Sequence, residues 1–168
     1  MTSAQENFFR IAPPAAIASL KATGVLASVT LAQCALESGW LARMPAGSNN
    51  CFGIKATDTT DANNYVRAMT SEYIDGELRE VLQPFVRFAS LAECFTAHGN
   101  LLAGSKRYAP CMAVWAYPCS FACQLQECGY STAPDYAARL IFLMEHYHLM
   151  TFDAPASAPA TATATEAK

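Results

Sequence analysis

Between Val25 and Trp40 the chain permits little besides a buried helix. Val25, Val29, Ala32 and Leu36 recur at helical spacing, and Thr30, Gln33 and Glu37 form a second stripe beside them. Gly39 suits the left-handed residue that ends a helix, so the spacing predicts a stop just after Glu37-Ser38, with Trp40 starting the outgoing chain. A carboxylate in the last turn faces the carbonyl end of the helix, where negative charge is disfavoured by up to about 1 kcal/mol. Helix stability therefore does not explain Glu37. Trp40 is expected to bring apolar surface near the acid, and an acid beside apolar surface keeps its proton to higher pH. Such a group suits proton donation.

The rest of the composition narrows the class. A chain of 168 residues with 52% hydrophobic and 15% charged side chains is globular and long enough to bury a core as one domain. Net charge is −3 with a pI near 5.5, and no Lys/Arg cluster is present, which argues against nucleic-acid binding. Arg10, Pro13, Pro14 and Lys21 interrupt the N-terminal third, so no membrane span is expected. The first residues lack the basic flank and apolar core of a secretory signal. The chain is thus expected to stay inside the cell or to leave by a route without a cleaved leader.

Seven cysteines (34, 51, 94, 111, 119, 123 and 128) leave at least one unpaired. The C-terminal four lack the Cys-x-x-Cys pairs of common zinc sites, so neither a metal nor a cofactor is expected. Disulfides would suit an extracellular protein and buried thiols a cytosolic one, and the spacing leaves both open.

In order along the chain, residues 3–11 read as a short helix stopped by Pro13-Pro14, and Ala15 to Ala22 as a second helix closed by Gly24. After the Val25 to Trp40 helix the period changes. Residues 65–74 and 78–88 read as two strands around an Asp75-Gly76 turn. Ser90 and Glu93 form a capping box for a helix whose apolar face is Leu91, Cys94, Phe95, His98, Leu101 and Leu102. His98 reads as a hydrogen-bonded core residue. Pro110 to Tyr117 is a helix or turn, Pro118 opens a helix that Gly129 closes, and a last helix carries Tyr136, Ala137, Leu140, Ile141, Met144, Tyr147 and His148, with Thr132 or Asp135 as its cap. Residues 151–168, rich in Ala, Thr and Pro, are expected to form a flexible tail after a domain at 1–150.

Four separated motifs occur in order: Thr30-Leu31-Ala32-Gln33-Cys34-Ala35-Leu36-Glu37-Ser38-Gly39-Trp40, Asn49-Asn50-Cys51-Phe52-Gly53-Ile54-Lys55, Thr70-Ser71-Glu72-Tyr73, and Gly129-Tyr130-Ser131-Thr132-Ala133-Pro134-Asp135-Tyr136-Ala137. Together they resemble the glycoside hydrolase family 73 endo-β-N-acetylglucosaminidases, over about Leu20 to Leu149. The resemblance implies a lysozyme-like α+β fold, a mostly helical lobe and a small β-hairpin lobe with a groove between them. It implies cleavage of the β-1,4 bond after N-acetylglucosamine in the glycan strands of bacterial peptidoglycan. Glu37 matches the general acid, Glu72 the second acidic residue and Tyr130 a tyrosine on the groove wall. Trp40, Asn50, Phe52 and Tyr136 are expected to bind substrate. A rival of similar fold, a lytic transglycosylase or muramidase, cuts the neighbouring bond, and an inactive glycan-binding module is a third possibility. Carboxyl groups ~6.5–9.5 Å apart imply inversion and ~5–5.5 Å retention, unless the sugar's acetamido group replaces the second carboxylate. Three positions depart from the pattern: Leu41 stands where the family usually has Gly, Cys51 where it usually has a large aliphatic, and Ala133 where it usually has Asp. Such an enzyme acts in the periplasm or outside the cell. Phage lysis, an injected effector, or a secretion or flagellar apparatus would each deliver it.

Overall fold

The computed structural model describes residues 1–74 and 77–153, with the backbone alone at 72–74. Its helices are α1 (Ser3–Thr23), α2 (Ala27–Ser38), α3 (Leu91–Gly104), α4 (Ala109–Ala113), α5 (Pro118–Glu127) and α6 (Tyr136–His146), and β1 (Tyr65–Ile74) pairs antiparallel with β2 (Glu77–Val86). The α+β architecture is as expected, a helical lobe with a projecting hairpin. No helix among the described residues is long and apolar enough to cross a membrane.

α2 is the central element. Every residue from Ala27 to Ala35 is buried, including Thr30 and Gln33 of the supposed polar stripe. Polar side chains inside a helical core need partners, and Thr30 Oγ1 donates to the Ala27 carbonyl at 3.2 Å. The first N–H groups of α2 receive no local cap, because Leu26 precedes them. Asp153, from the other end of the chain, accepts from the Ser28 N–H at 2.8 Å. Residues Leu149–Asp153 form a 3-10 turn packed on α2, so the folded part runs past the expected boundary at 150; the expected tail from 154 onward lies outside the described residues.

The N-terminal region is one helix and not two. Pro13 and Pro14 sit inside α1, each lacking the N–H that would close an i to i−4 bond, a defect costing ~3 kcal/mol in an isolated helix. Burial of Phe8, Ala12, Pro13, Ala15, Ala16 and Ser19 along the same face offsets it. Sequence rules see the break in the ladder and miss the surface that holds both halves in line. α1 meets α3 closely at Gly99, where an added Cβ would lie 2.6 Å from Thr23 Oγ1 and 2.8 Å from Ser19 Oγ.

Ser90 caps α3 as expected, accepting from the Glu93 N–H, while the Glu93 carboxylate takes the Ala89 N–H at 2.7 Å. Leu101, expected on the buried face, is exposed. α6 departs further: its capping residue Asp135 makes no side-chain cap bond and instead pairs with Arg139. The Ala137 N–H goes to Gln126 Oε1 on α5 at 2.9 Å. The helix also ends at His146, before His148. The hairpin register sets Tyr65 opposite Val86 and Ile74 opposite Glu77, so β2 begins at Glu77 and ends at Val86, two residues short of the expected Phe88. The Asp75-Gly76 turn lies outside the described residues.

Candidate active site

α2 delivers Glu37 to the rim of a groove of about 400 Å³. Gly39 adopts φ 56° and its N–H bonds back to the Ala35 carbonyl, ending the helix two residues beyond the acid, where the sequence placed it. Trp40 and Leu41 follow at φ 63° and 67°, a conformation that disfavours side chains by roughly 1–2 kcal/mol. That is the physical sense of a glycine at position 41 in the resemblance. Leu41 is retained here buried in the core, with its N–H on Ser38 Oγ at 2.8 Å.

The opposite wall comes from the hairpin, through Ala68, Met69, Thr70 and Phe85, and the floor from Asn50, Cys51 and Gly53. Asn50 does structural work there: its Nδ2 donates to the carbonyls of Ile54 at 2.8 Å and Val86 at 3.0 Å, and its Oδ1 accepts from the Ile54 N–H. It thereby ties the floor to the base of β2.

Behind Glu37 runs a buried polar chain. The Tyr136 hydroxyl donates to Glu37 Oε1 at 3.2 Å and accepts from Gln33 Nε2 at 3.0 Å. Gln33 Oε1 lies 3.0 Å from His98 Nε2. An amide oxygen only accepts, so the His98 proton resides on Nε2. Burial lowers the His98 pKa to about 3, which keeps the ring neutral and the direction of the chain fixed. Phe52 stacks on His98 with centroids 3.9 Å apart, below the groove and not along it. Tyr130 stacks on Tyr136 at 5.6 Å. Its position follows from the end of α5, where Gly129 takes φ 69° and the Tyr130 N–H returns to the Leu125 carbonyl, and Arg107 binds the carbonyls of Cys128 and Gly129.

These surroundings set the protonation of Glu37. Desolvation raises its pKa from 4.5 to about 7, and the hydroxyls of Tyr136 and then Tyr130 pull it back. The residue is nonetheless open to solvent on its groove side, so a ligand can reach it. Desolvation, with Glu37 next, raises the Tyr130 hydroxyl well above its ordinary value, so it acts as a neutral donor.

The structure brings together Glu37, Tyr130 and Tyr136, with Asn50 in the floor and Phe52 beneath it. It does not bring Trp40. That ring packs edge-on to Phe8 at 5.1 Å and to Tyr147 at 4.7 Å, among α1 and α6 residues, and is absent from the Glu37 groove. The left-handed turn at 39–41 swings it away, and the tyrosines supply the shielding expected of it. Tyr136 is 4% exposed, so it contacts the acid and not a ligand in the groove. Glu72 lies in β1 opposite Arg79, and its side chain lies outside the described residues. Sequence reasoning missed Gln33 as a link and Arg43 on the groove wall; the pairing of Gln33 with His98 joins positions 65 apart, beyond any local pattern.

Comparison with known proteins agrees. The family model described as mannosyl-glycoprotein endo-beta-N-acetylglucosaminidase matches residues 13–149. The chain is 31% identical over 163 residues to the peptidoglycan hydrolase FlgJ of Pseudomonas aeruginosa, covering 94% of this chain and 40% of that protein. It is 31% identical to the exo-glucosaminidase LytG of Bacillus subtilis, covering 77% of this chain and 46% of that one. The chain thus spans less than half the length of these relatives. Among solved structures, the truncated glycoside hydrolase domain of Salmonella typhimurium FlgJ superposes with TM-score 0.73 at 31% identity, over 88% of this chain and 99% of that one. The catalytic domain of the Listeria monocytogenes autolysin Auto gives 0.76 at 25% identity, over 91% and 89%. With fold, motif order and family model in agreement, the chain belongs to the glucosaminidase family, glycoside hydrolase family 73.

Proposed function

We propose that this protein hydrolyses the β-1,4 bond after N-acetylglucosamine in peptidoglycan glycan strands, with Glu37 as general acid. The carrying observation is a carboxyl at the groove rim, reachable from the groove, whose pKa is raised to about 7 by desolvation while the Tyr136 hydroxyl donates to its Oε1. Cleavage needs a proton delivered to the leaving oxygen as positive charge develops on the sugar ring. Glu72, carried by the strand whose Ala68, Met69 and Thr70 line the groove, is proposed as the second acidic residue. Tyr130 is proposed to hydrogen-bond the acetamido group or the acid. The site of action is then the cell wall, in the periplasm or outside the cell.

The test is wall lysis and mass spectrometry of the products. Wild type should release reducing-end N-acetylglucosamine, and Glu37→Gln should release almost none while still unfolding cooperatively. Anhydromuramic products would replace this reading with a lytic transglycosylase. Binding of glycan without any cleavage would replace it with a binding module.

A further inference from the structure

We propose that Arg43 is a specificity residue that binds a carboxylate of the substrate, and so reads the acidic character of the glycan strand. The inference rests on the proposed function for the identity of the strand. Three observations carry it.

First, Arg43 borders the groove. Arg43 follows the left-handed turn, its N–H bonded to the Ser38 carbonyl at 2.8 Å, and its guanidinium lies across Gly39. A Cβ at position 39 would stand 2.6 Å from Nε and 2.8 Å from Cζ and Nη2, so the guanidinium lies directly over the bare glycine backbone. Second, Glu37 and Arg43 are the only charged residues among the described residues lining the groove. Third, the cation is uncommitted: it makes no ion pair or side-chain hydrogen bond among the described residues. Nor does it serve Glu37, whose proton affinity answers to burial and two tyrosine hydroxyls and not to a neighbouring cation.

A planar guanidinium with parallel N–H groups matches a carboxylate in a two-point contact. N-acetylglucosamine is neutral. Peptidoglycan presents carboxylates from two sources: the lactyl group of N-acetylmuramic acid, free where the peptide has been removed, and the stem peptide where it remains. Arg43 borders the same groove as Glu37, so its guanidinium can take one of them while the strand occupies that groove.

The experiment measures binding in the Glu37→Gln background, where no turnover intervenes. Three fluorescent ligands are compared: peptide-free glycan strands, peptide-bearing strands and a neutral chito-oligosaccharide. Adding Arg43→Gln should weaken binding of acidic strands by about fivefold, as for one solvent-exposed charge contact, and lose this difference at high salt. Binding of the chito-oligosaccharide should be unchanged, and Arg43→Lys should recover part of the loss. Loss confined to peptide-free strands assigns the lactyl carboxylate, and loss confined to peptide-bearing strands the stem carboxylate. Equal loss on all three ligands, or none on either acidic strand, overturns the proposal. In the active enzyme Arg43→Gln should raise KM on acidic strands with kcat kept. Absence of hydrolysis by wild type alongside Arg43-dependent binding would sink the hydrolase reading and leave this one standing.

Discussion

Tyr136→Phe isolates the link between the buried chain and the acid, because it removes one oxygen and keeps the ring. Two consequences follow from the geometry. The hydroxyl lies 3.2 Å from Glu37 Oε1 and favours the ionised carboxylate, so its loss raises the pKa of the acid further. A hydrogen bond to a charged group contributes ~1.5–3 kcal/mol. The long distance and the opening of Glu37 to the groove reduce this to about 1 kcal/mol, or roughly 0.7 pH unit. A general acid works while protonated, so the alkaline limb of the pH–rate profile, set near 7 in the wild type, should move upward by that amount. The second consequence is structural. Gln33, fully buried, loses the acceptor for its Nε2, which costs about 1–3 kcal/mol and lowers Tm by roughly 2–10 °C. Lysis rates from pH 5 to 9 with parallel thermal melts measure both. An alkaline limb that stays put or moves down, with Tm lowered as expected, would show that the Tyr136 hydroxyl does not control the proton of Glu37.

Other expectations follow from the same structure. A carboxyl whose folded pKa of about 7 exceeds its ordinary 4.5 contributes stability below pH 4.5 that is lost as pH rises through 7. Glu37→Gln should therefore flatten Tm across that window, and an unchanged slope would refute the raised pKa. Asp153→Ala should cost about 1 kcal/mol by uncapping α2, with Asp153→Asn recovering most of it as an acceptor; equal melts for all three proteins would exclude the cap. Cys51 and Cys94 have Sγ atoms 3.8 Å apart; burial and then Cys34 push the Cys51 thiol up, and the Cys51 thiol and then burial push Cys94 up, so an added disulfide oxidant should act slowly on the folded protein and readily during refolding. Peptide mapping should find them joined, with a gain of about 4 kcal/mol for closing a 43-residue loop, before strain. A different pair in the map would refute the assignment.

What the sequence determined by itself were the features fixed within one turn of chain. Gly24, Gly39 and Gly129 all adopt the left-handed conformation their positions foretold, and Ser90 starts α3. The stop at Gly39 is what put Glu37 on the rim of a core, and that much of the site was legible. Tertiary structure decided the rest, because burial depends on which surfaces meet. It carried α1 through Pro13-Pro14, recruited Asp153 and Gln126 as caps from distant elements, and turned Trp40 toward α1 and α6. It also joined His98, Gln33, Tyr136 and Glu37 into one chain of hydrogen bonds. Dihedral preferences act between neighbours in sequence, whereas removing water from a polar group takes the whole fold.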